Sequence, residues 1–409
     1  MYNILTNVGP ALPFTMILLA VLGLRYRVTP RTNMWIKTTP AKLWALLDIY
    51  DGRVENWGTT LITTTLVDAK KQIFQKTYST TQSNGTVRNF HAHFSLEKRD
   101  EEHLIILKRE GIEGKSQNNE LLKITHELTP EREGTRLRTV YHWGPRPVIA
   151  QLLARADLWS GAFRLKSLAE TGLNNERPYF LISAAVAIVT GLFSVAGFGL
   201  LLGFDRAICL VIALFIHELG HLIAYRLMGQ PWGRMVFLPF LGALAMPRLP
   251  FESQGQAVFA ALMGPGFSIL LAVLCAVPWY IDGLVHPYMI FLGFMTALLN
   301  IFNLMPAEPL DGGVALRSVL ARMIGSYASY GLMAIGAIIV LAGFATDQIA
   351  LVLFGGLAIL ANLKTRKIDV GQTPLTRLQL CIFAFGYVAI AAGHLTMLQF
   401  YIAQYRLVS

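Results

Sequence analysis

One run in the 409-residue chain concentrates groups able to do chemistry: Phe215-Ile216-His217-Glu218-Leu219-Gly220-His221-Leu222. His217 and His221 are four apart, so on a helix they project from one face, one turn apart. That spacing lets two imidazoles ligate one zinc ion, with Glu218 placed to act as general base on water. The run lies inside a hydrophobic stretch, where ionisable side chains are costly and need partners. Three such groups within five residues point to a metal rather than to a polar helix contact.

A catalytic zinc usually has three protein ligands and one open position. The candidate third ligand is Asp311, in Asn303-Leu304-Met305-Pro306-Ala307-Glu308-Pro309-Leu310-Asp311-Gly312-Gly313. Its two prolines disfavour regular helix, and Gly312-Gly313 permits tight backbone around the carboxylate. Glu308 is a second carboxylate in the same segment. It either tunes the site or faces the cytoplasm, and it is the next candidate ligand should Asp311 fail.

The elements that must position these groups are largely apolar. Hydrophobic residues make up 54% of the chain and charged residues 15%, and the mean hydropathy of +0.48 is too high for a soluble protein of this length. Val8–Leu24 reads as a retained span with its N-terminus outside the cytoplasm. Further runs of membrane length lie near 179–203, 206–228, 256–280, 287–305, 328–345, 349–363 and 376–400. With Arg25 and Arg27 in the cytoplasm, alternate loops collect Arg164, Lys166 and Arg177, then Arg226 and Arg234, then Arg317 and Arg322, and finally Lys364, Arg366 and Lys367. The opposite loops hold little more than Asp205, Arg206, Asp282 and Asp347. This asymmetry predicts about eight spans, both termini outside, and a multi-pass protein of the bacterial cytoplasmic membrane. The net charge of +10 is accounted for by cytoplasmic loops, so no nucleic-acid partner is expected.

Residues 31–177 differ. Strand-like runs at 59–67, 72–79, 86–96, 103–112, 119–128 and 134–143 are punctuated by turns such as Ser83-Asn84-Gly85. A helical start, Pro40-Ala41-Lys42-Leu43-Trp44, precedes them, and a long helix, 146–168, follows. This order resembles the helix-grip fold of START-like and polyketide-cyclase-like proteins, as does Lys37-Thr38-Thr39-Pro40-Ala41-Lys42-Leu43-Trp44. The resemblance implies an apolar ligand held between sheet and long helix.

The metal motifs resemble the site-2 protease family of intramembrane metalloproteases. The likeness rests on His217-Glu218-Leu219-Gly220-His221 and on Asn303, Pro306, Pro309 and Leu310-Asp311-Gly312-Gly313. Two further stretches fit between them. Phe240-Leu241-Gly242-Ala243-Leu244-Ala245-Met246-Pro247 is similar to the family's re-entrant strand, and Met263-Gly264-Pro265-Gly266-Phe267-Ser268 to its Gly-Pro motif. The resemblance covers about 179–325. It implies that His217, His221 and Asp311 bind zinc, that Glu218 activates water, and that Asn303 helps hold a substrate strand. It further implies a zinc endopeptidase acting in the bilayer on membrane proteins, a single-span segment being the expected substrate. Glu308 departs from the apolar residue or proline that many members carry.

The expected architecture is thus a polytopic α-helical membrane protein with a cytoplasmic α+β domain: 1–30 an N-terminal span and connector, 31–177 the START-like domain, 178–325 the metalloprotease core, and 326–409 C-terminal helices. The rival reading is a non-enzymatic lipid-sensing or lipid-transfer protein with a structural zinc, to which Glu218 would be superfluous. Other candidates carry less. His91 and His93 share a strand face without an evident third ligand. His394 reads as a helix-packing hydrogen bond, and Trp44, Trp57 and Trp143 as core. Cys209, Cys275 and Cys381 have neither metal spacing nor a disulfide pattern.

Overall fold

The structure is a computed structural model describing residues 25–408, except 28, 57–59, 82–86, 102, 112–120, 174–176, 249–250, 252, 284–285 and 364–371. The expected span Val8–Leu24, Trp57 and the turn at Ser83-Asn84-Gly85 lie outside the described residues. The chain divides into two compact units, the first ending at Val186 and the second starting at Ala187.

The first unit is built on an antiparallel sheet. Its strands are β2 (Arg31–Ile36), β3 (Val54–Asn56), β4 (Thr60–Asp68), β5 (Ile73–Thr81), β6 (Val87–Asp100), β7 (Leu104–Gly111), β8 (Leu121–Glu131) and β9 (Gly134–Trp143). They lie in the order β2-β9-β8-β7-β6-β5-β4-β3. Sequential hairpins thus build the sheet, and β2 returns to pair with β9, Ile36 opposite Thr135. The two-residue period is plain in β2, where Thr32, Met34 and Ile36 turn inward and Arg31, Asn33 and Trp35 outward. Helix α1 (Pro40–Leu47) starts where expected, because Thr39 caps it by accepting from the Lys42 amide and Pro40 occupies its first turn. Helix α2 (Val148–Thr171) supplies Ala162, Leu165 and Ala169 to a core with Leu43, Trp44, Phe74, Ile105, Leu128 and Leu137. The connector is more structured than expected: β1 (Arg25–Tyr26) pairs with β10 (Arg146–Pro147).

The second unit is helical. Helix α3 (Arg177–Leu202) leads into it and is followed by α4 (Phe204–Leu227), hairpin β11 (Arg234–Leu238) and β12 (Gly242–Met246), α5 (Gln254–Asp282), α6 (Pro287–Asn303), α7 (Asp311–Ile324), α8 (Ala328–Ala345), α9 (Ile349–Asn362) and α10 (Arg377–Val408). The protein is a polytopic α-helical membrane protein carrying an antiparallel α+β unit.

The count of about eight spans is not confirmed, the expected first span lying outside the described residues. Five helical stretches among the described residues are long and apolar enough to cross a membrane: Arg177–Leu202, Phe204–Leu227, Gln254–Ile281, Asp311–Ala345 and Arg377–Gln404. Pro287–Asn303 and Ile349–Asn362 are apolar but shorter. At 1.5 Å per residue they are about 25 and 21 Å long. Hydropathy registers apolarity but not where a helix stops. The break expected near Gly343–Gln348 is present, between α8 and α9.

On β8, His126 sits at an inward-facing position with its Nδ1 2.9 Å from Thr139 Oγ1. Burial, with the nearby Lys76 charge, lowers its pKa from 6.5 to about 4. Between those values the unfolded chain binds a proton that the folded sheet refuses. Stability therefore falls as pH drops from about 6.5 to about 4, by about 3 kcal/mol at most and by less where water screens the ring. Urea midpoints of the sheet unit, read by hydrogen exchange of β8 and β9 peptides, should decline over this range. They should decline less in His126→Leu, and an identical pH slope in that variant would rule out His126 as the source.

Candidate metal centre

The motif lies on the buried stripe of α4, where Ala213, Leu214, His217, Glu218, Gly220, His221, Ala224 and Tyr225 turn inward at three- and four-residue spacing. Close helix packing makes room for it. A Cβ on Gly220 would stand 2.9 Å from Phe267 Cβ and 3.0 Å from Gly264 Cα, so α4 and α5 meet almost backbone to backbone. On α5, a Cβ on Gly264 would stand 3.0 Å from His217 Cε1 and closer still to the His221 ring. Larger residues at either glycine would push the imidazoles out of place.

Asp311 arrives from the opposite direction, as the first residue of α7 after the non-helical segment Leu304–Leu310. That segment folds tightly over Gly312 and Gly313. A Cβ on Gly312 would collide with Leu304 backbone, and one on Gly313 with Ala307 and Glu308 backbone. Neighbouring helices hold it: Asn362 Nδ2 of α9 donates to Pro306 O at 2.7 Å, and the Tyr387 hydroxyl of α10 donates to Leu304 O. Glu308 is drawn away from the centre by Arg317, whose Nη1 reaches its two carboxylate oxygens at 2.9 and 3.0 Å.

Three ligand atoms converge. His217 Nε2 and His221 Nε2 are 3.1 Å apart, and Asp311 Oδ2 lies 3.1 Å from the first and 3.4 Å from the second. The protons of the two rings are assigned by their other nitrogens. His217 Nδ1 lies 2.8 Å from Asn300 Oδ1, while the Asn300 amide nitrogen donates to Thr296 O at 2.7 Å. The amide is therefore oriented, and its oxygen must accept from His217. His221 Nδ1 faces Ala260 O at 2.7 Å, which can only accept. Both Nδ1 atoms carry protons, so both Nε2 atoms present lone pairs. Two lone pairs and a carboxylate oxygen aimed at one point repel unless a cation lies between them. Ligand atoms about 2.0–2.1 Å from a tetrahedral zinc stand about 3.3 Å apart, so the donor set fits zinc in both chemistry and spacing. Among the described residues, this is the one group of three or more His, Cys, Asp or Glu arranged to hold a metal.

A cavity of about 610 Å³ opens on the centre and is lined by His217, Glu218, His221, Asn303, Asp311 and the strand edge Gly242–Ala245. The structure thus gathers all five residues singled out from the sequence. Asn300 escaped that reading. Its signal was a second amide one turn before Asn303 in an apolar run, a costly residue at membrane depth.

The lesser candidates settle as packing. His91 and His93 share a face, as expected, and both engage Gln75, with Thr77 also on His91. His394 Nε2 donates to Pro265 O at 2.9 Å, and Trp44 is in the core. The three cysteines are free, Cys209 and Cys275 buried and Cys381 exposed.

No family model matches the chain. A zinc metalloprotease of Methanocaldococcus jannaschii is 31% identical over 121 residues, covering 29% of this chain and 35% of that protein. The chain thus spans about a third of that relative's length. Among solved structures, the site-2 protease from the same organism aligns with 46% of this chain and 91% of its own, at 22% identity and a TM-score of 0.31. The Aha1 dimer from Colwellia psychrerythraea aligns with 36% of this chain and 98% of its own, at 15% identity and a TM-score of 0.24.

Outer partners of metal-ligating histidines fix ring orientation, and their loss typically costs 10–100-fold in affinity. Asn300→Leu should weaken zinc binding by about that factor in chelator competition, and Asp311→Ala by more. Unchanged affinity in Asn300→Leu would show that α4 alone orients His217.

Proposed function

We propose that this chain is a zinc-dependent endopeptidase that hydrolyses peptide bonds within or beside the membrane spans of other proteins. One observation carries the reading: two imidazole lone pairs and a carboxylate converge beside Glu218, at the wall of an open cavity. A structural zinc site is closed by four protein ligands, whereas three ligands facing a cavity leave a position for reaction. The intact Glu218, buried within the cavity wall, weighs the same way against the lipid-sensing rival.

In this assignment His217, His221 and Asp311 hold the metal. Bound there, zinc supplies Lewis-acid chemistry, acidifying water and polarising a carbonyl. Glu218 takes the proton from the attacking water and delivers it to the departing amine. Asn300 and Ala260 O keep the two rings in the ligating tautomer throughout. Arg317 neutralises Glu308, leaving Asp311 as the one carboxylate of its segment at the metal.

A spanning helix shields its peptide groups with internal hydrogen bonds, so it must unwind locally before it can be cut. The hairpin provides for the extended form. β12 pairs with β11 on one side, Leu238 opposite Gly242, and its residues Gly242–Ala245 line the cavity. A substrate segment adding to the β12 edge would gain backbone hydrogen bonds beside the metal, with Asn303 across the cavity to hold it. The alternation of basic loops supports a bacterial cytoplasmic membrane, with residues 31–177 and 311–325 on the cytoplasmic side.

Glu218→Gln should keep full zinc occupancy and lose about 10²–10⁴-fold in cleavage of a reconstituted single-span substrate. Retained cleavage would remove Glu218 from the mechanism, and absence of cleavage by the zinc-loaded native protein would remove the protease reading. Cysteine labelling in intact cells should find residues near 100 inaccessible from outside; labelling there would overturn the orientation.

A further inference from the structure

Helix α2 turns one face to the sheet core and leaves another bare. Arg155, Trp159 and Phe163 recur every four residues, so they form one stripe along the helix, and all three are exposed. Trp159 and Phe163 are 41% and 38% accessible, with ring centroids 5.8 Å apart. Two adjoining aromatic rings left open to water are a costly surface. Beside them, a cleft of about 300 Å³ between α2 and the start of β2 is lined by Thr29, Pro30, Arg31, Arg155, Leu158 and Trp159. Arg31 is exposed, as are Arg25 and Arg27 just before it in the chain.

The acids of α2 do not cancel this charge. Asp157 stands two residues from Arg155, about 200° round the helix, where its charge acts on Tyr141. Glu170 is engaged by Lys166 at 3.2 Å and by the Lys37 amide at 2.8 Å.

What covers the stripe follows from the attachments of the helix. Its start is tied through β10 to β1, Arg146 opposite Tyr26. β1 directly follows the apolar run Val8–Leu24, read from its sequence as a span. The other end of α2, Thr171, lies six residues before Arg177, the start of α3, a helix long and apolar enough to cross a membrane. Six residues reach at most about 20 Å. A helix of 24 residues, about 36 Å long and held to one surface near both ends, lies along that surface. Aromatic rings flanked by arginines are the composition of a helix seated at a lipid interface.

We propose that this stripe rests on the surface of a bilayer containing anionic phospholipid, the same membrane that anchors the chain. Arg31 and Arg155 close on a lipid phosphate at the cleft, and Trp159 and Phe163 enter the headgroup layer. The inference stands apart from the protease reading, since every docking residue lies in the first unit.

The test uses the full-length protein in nanodiscs of phosphatidylcholine, with and without phosphatidylglycerol, part of the lipid being brominated in the acyl chain near the headgroup. The difference in emission between the native protein and Trp159→Phe reports Trp159. Brominated lipid should quench that difference emission, and aqueous acrylamide should not. Quenching by acrylamide alone would place the stripe in water, and protection from both quenchers would place it against protein; either result overturns the proposal. Phosphatidylglycerol should strengthen docking. Arg31→Gln combined with Arg155→Gln should weaken it by about fivefold per arginine, read as loss of quenching by brominated lipid. Equal quenching with and without phosphatidylglycerol, or no change in the double variant, would overturn the phosphate contact. Both substitutions fall on exposed side chains, so the fold of the unit is not at stake.

Discussion

The helical unit is organised around an electrostatic demand. Two imidazole lone pairs and a carboxylate oxygen stand 3.1–3.4 Å apart, an arrangement that is repulsive without a cation. Nothing about α4 alone forces it. The same side chains could turn away or share a proton. The outer hydrogen bonds prevent this, because Asn300 and Ala260 O consume the Nδ1 protons and leave the Nε2 lone pairs facing one point.

Much of the surrounding packing reads as support for that convergence. The Gly220–Gly264 approach brings α5 close enough for Ala260 O to reach His221. α6 contributes Asn300, and its next turn puts Asn303 on the cavity wall. Asp311 depends on a segment without regular structure, which α9 and α10 hold through Asn362 and Tyr387. A buried segment of that kind survives only if its backbone groups find partners elsewhere. Here they find them in side chains from distant parts of the chain.

The sheet unit follows a different economy. Its alternation of inward and outward residues is regular enough to close a core, yet Lys76 and His126 occupy inward positions on β5 and β8. Hydrophobic patterning would have placed aliphatic residues there, and their polarity lowers the stability of the unit, most of all in acid. In both units, polar groups inside an apolar body mark where the fold gives up stability.

The sequence by itself determined the local features, because they depend on short-range periodicity. The four-residue spacing of His217 and His221, the strand runs from 59 to 143 and the helix near 146–168 were all legible, since side-chain direction within an element follows from its period; Asp311 was reached instead through the need for a third ligand and the resemblance of its motif. Tertiary structure alone decided what depends on meetings across the chain. Asn300 could not be tied to His217 from sequence, because the two lie 83 residues apart and an amide in an apolar run has many uses. The fate of Glu308 was equally hidden, since Arg317 reaches it only once α7 has folded back over the loop. Helix ends were likewise decided by folding, since apolarity marks what is buried, in lipid or in protein alike, and only the packed structure shows where Pro287–Asn303 and Ile349–Asn362 begin and stop.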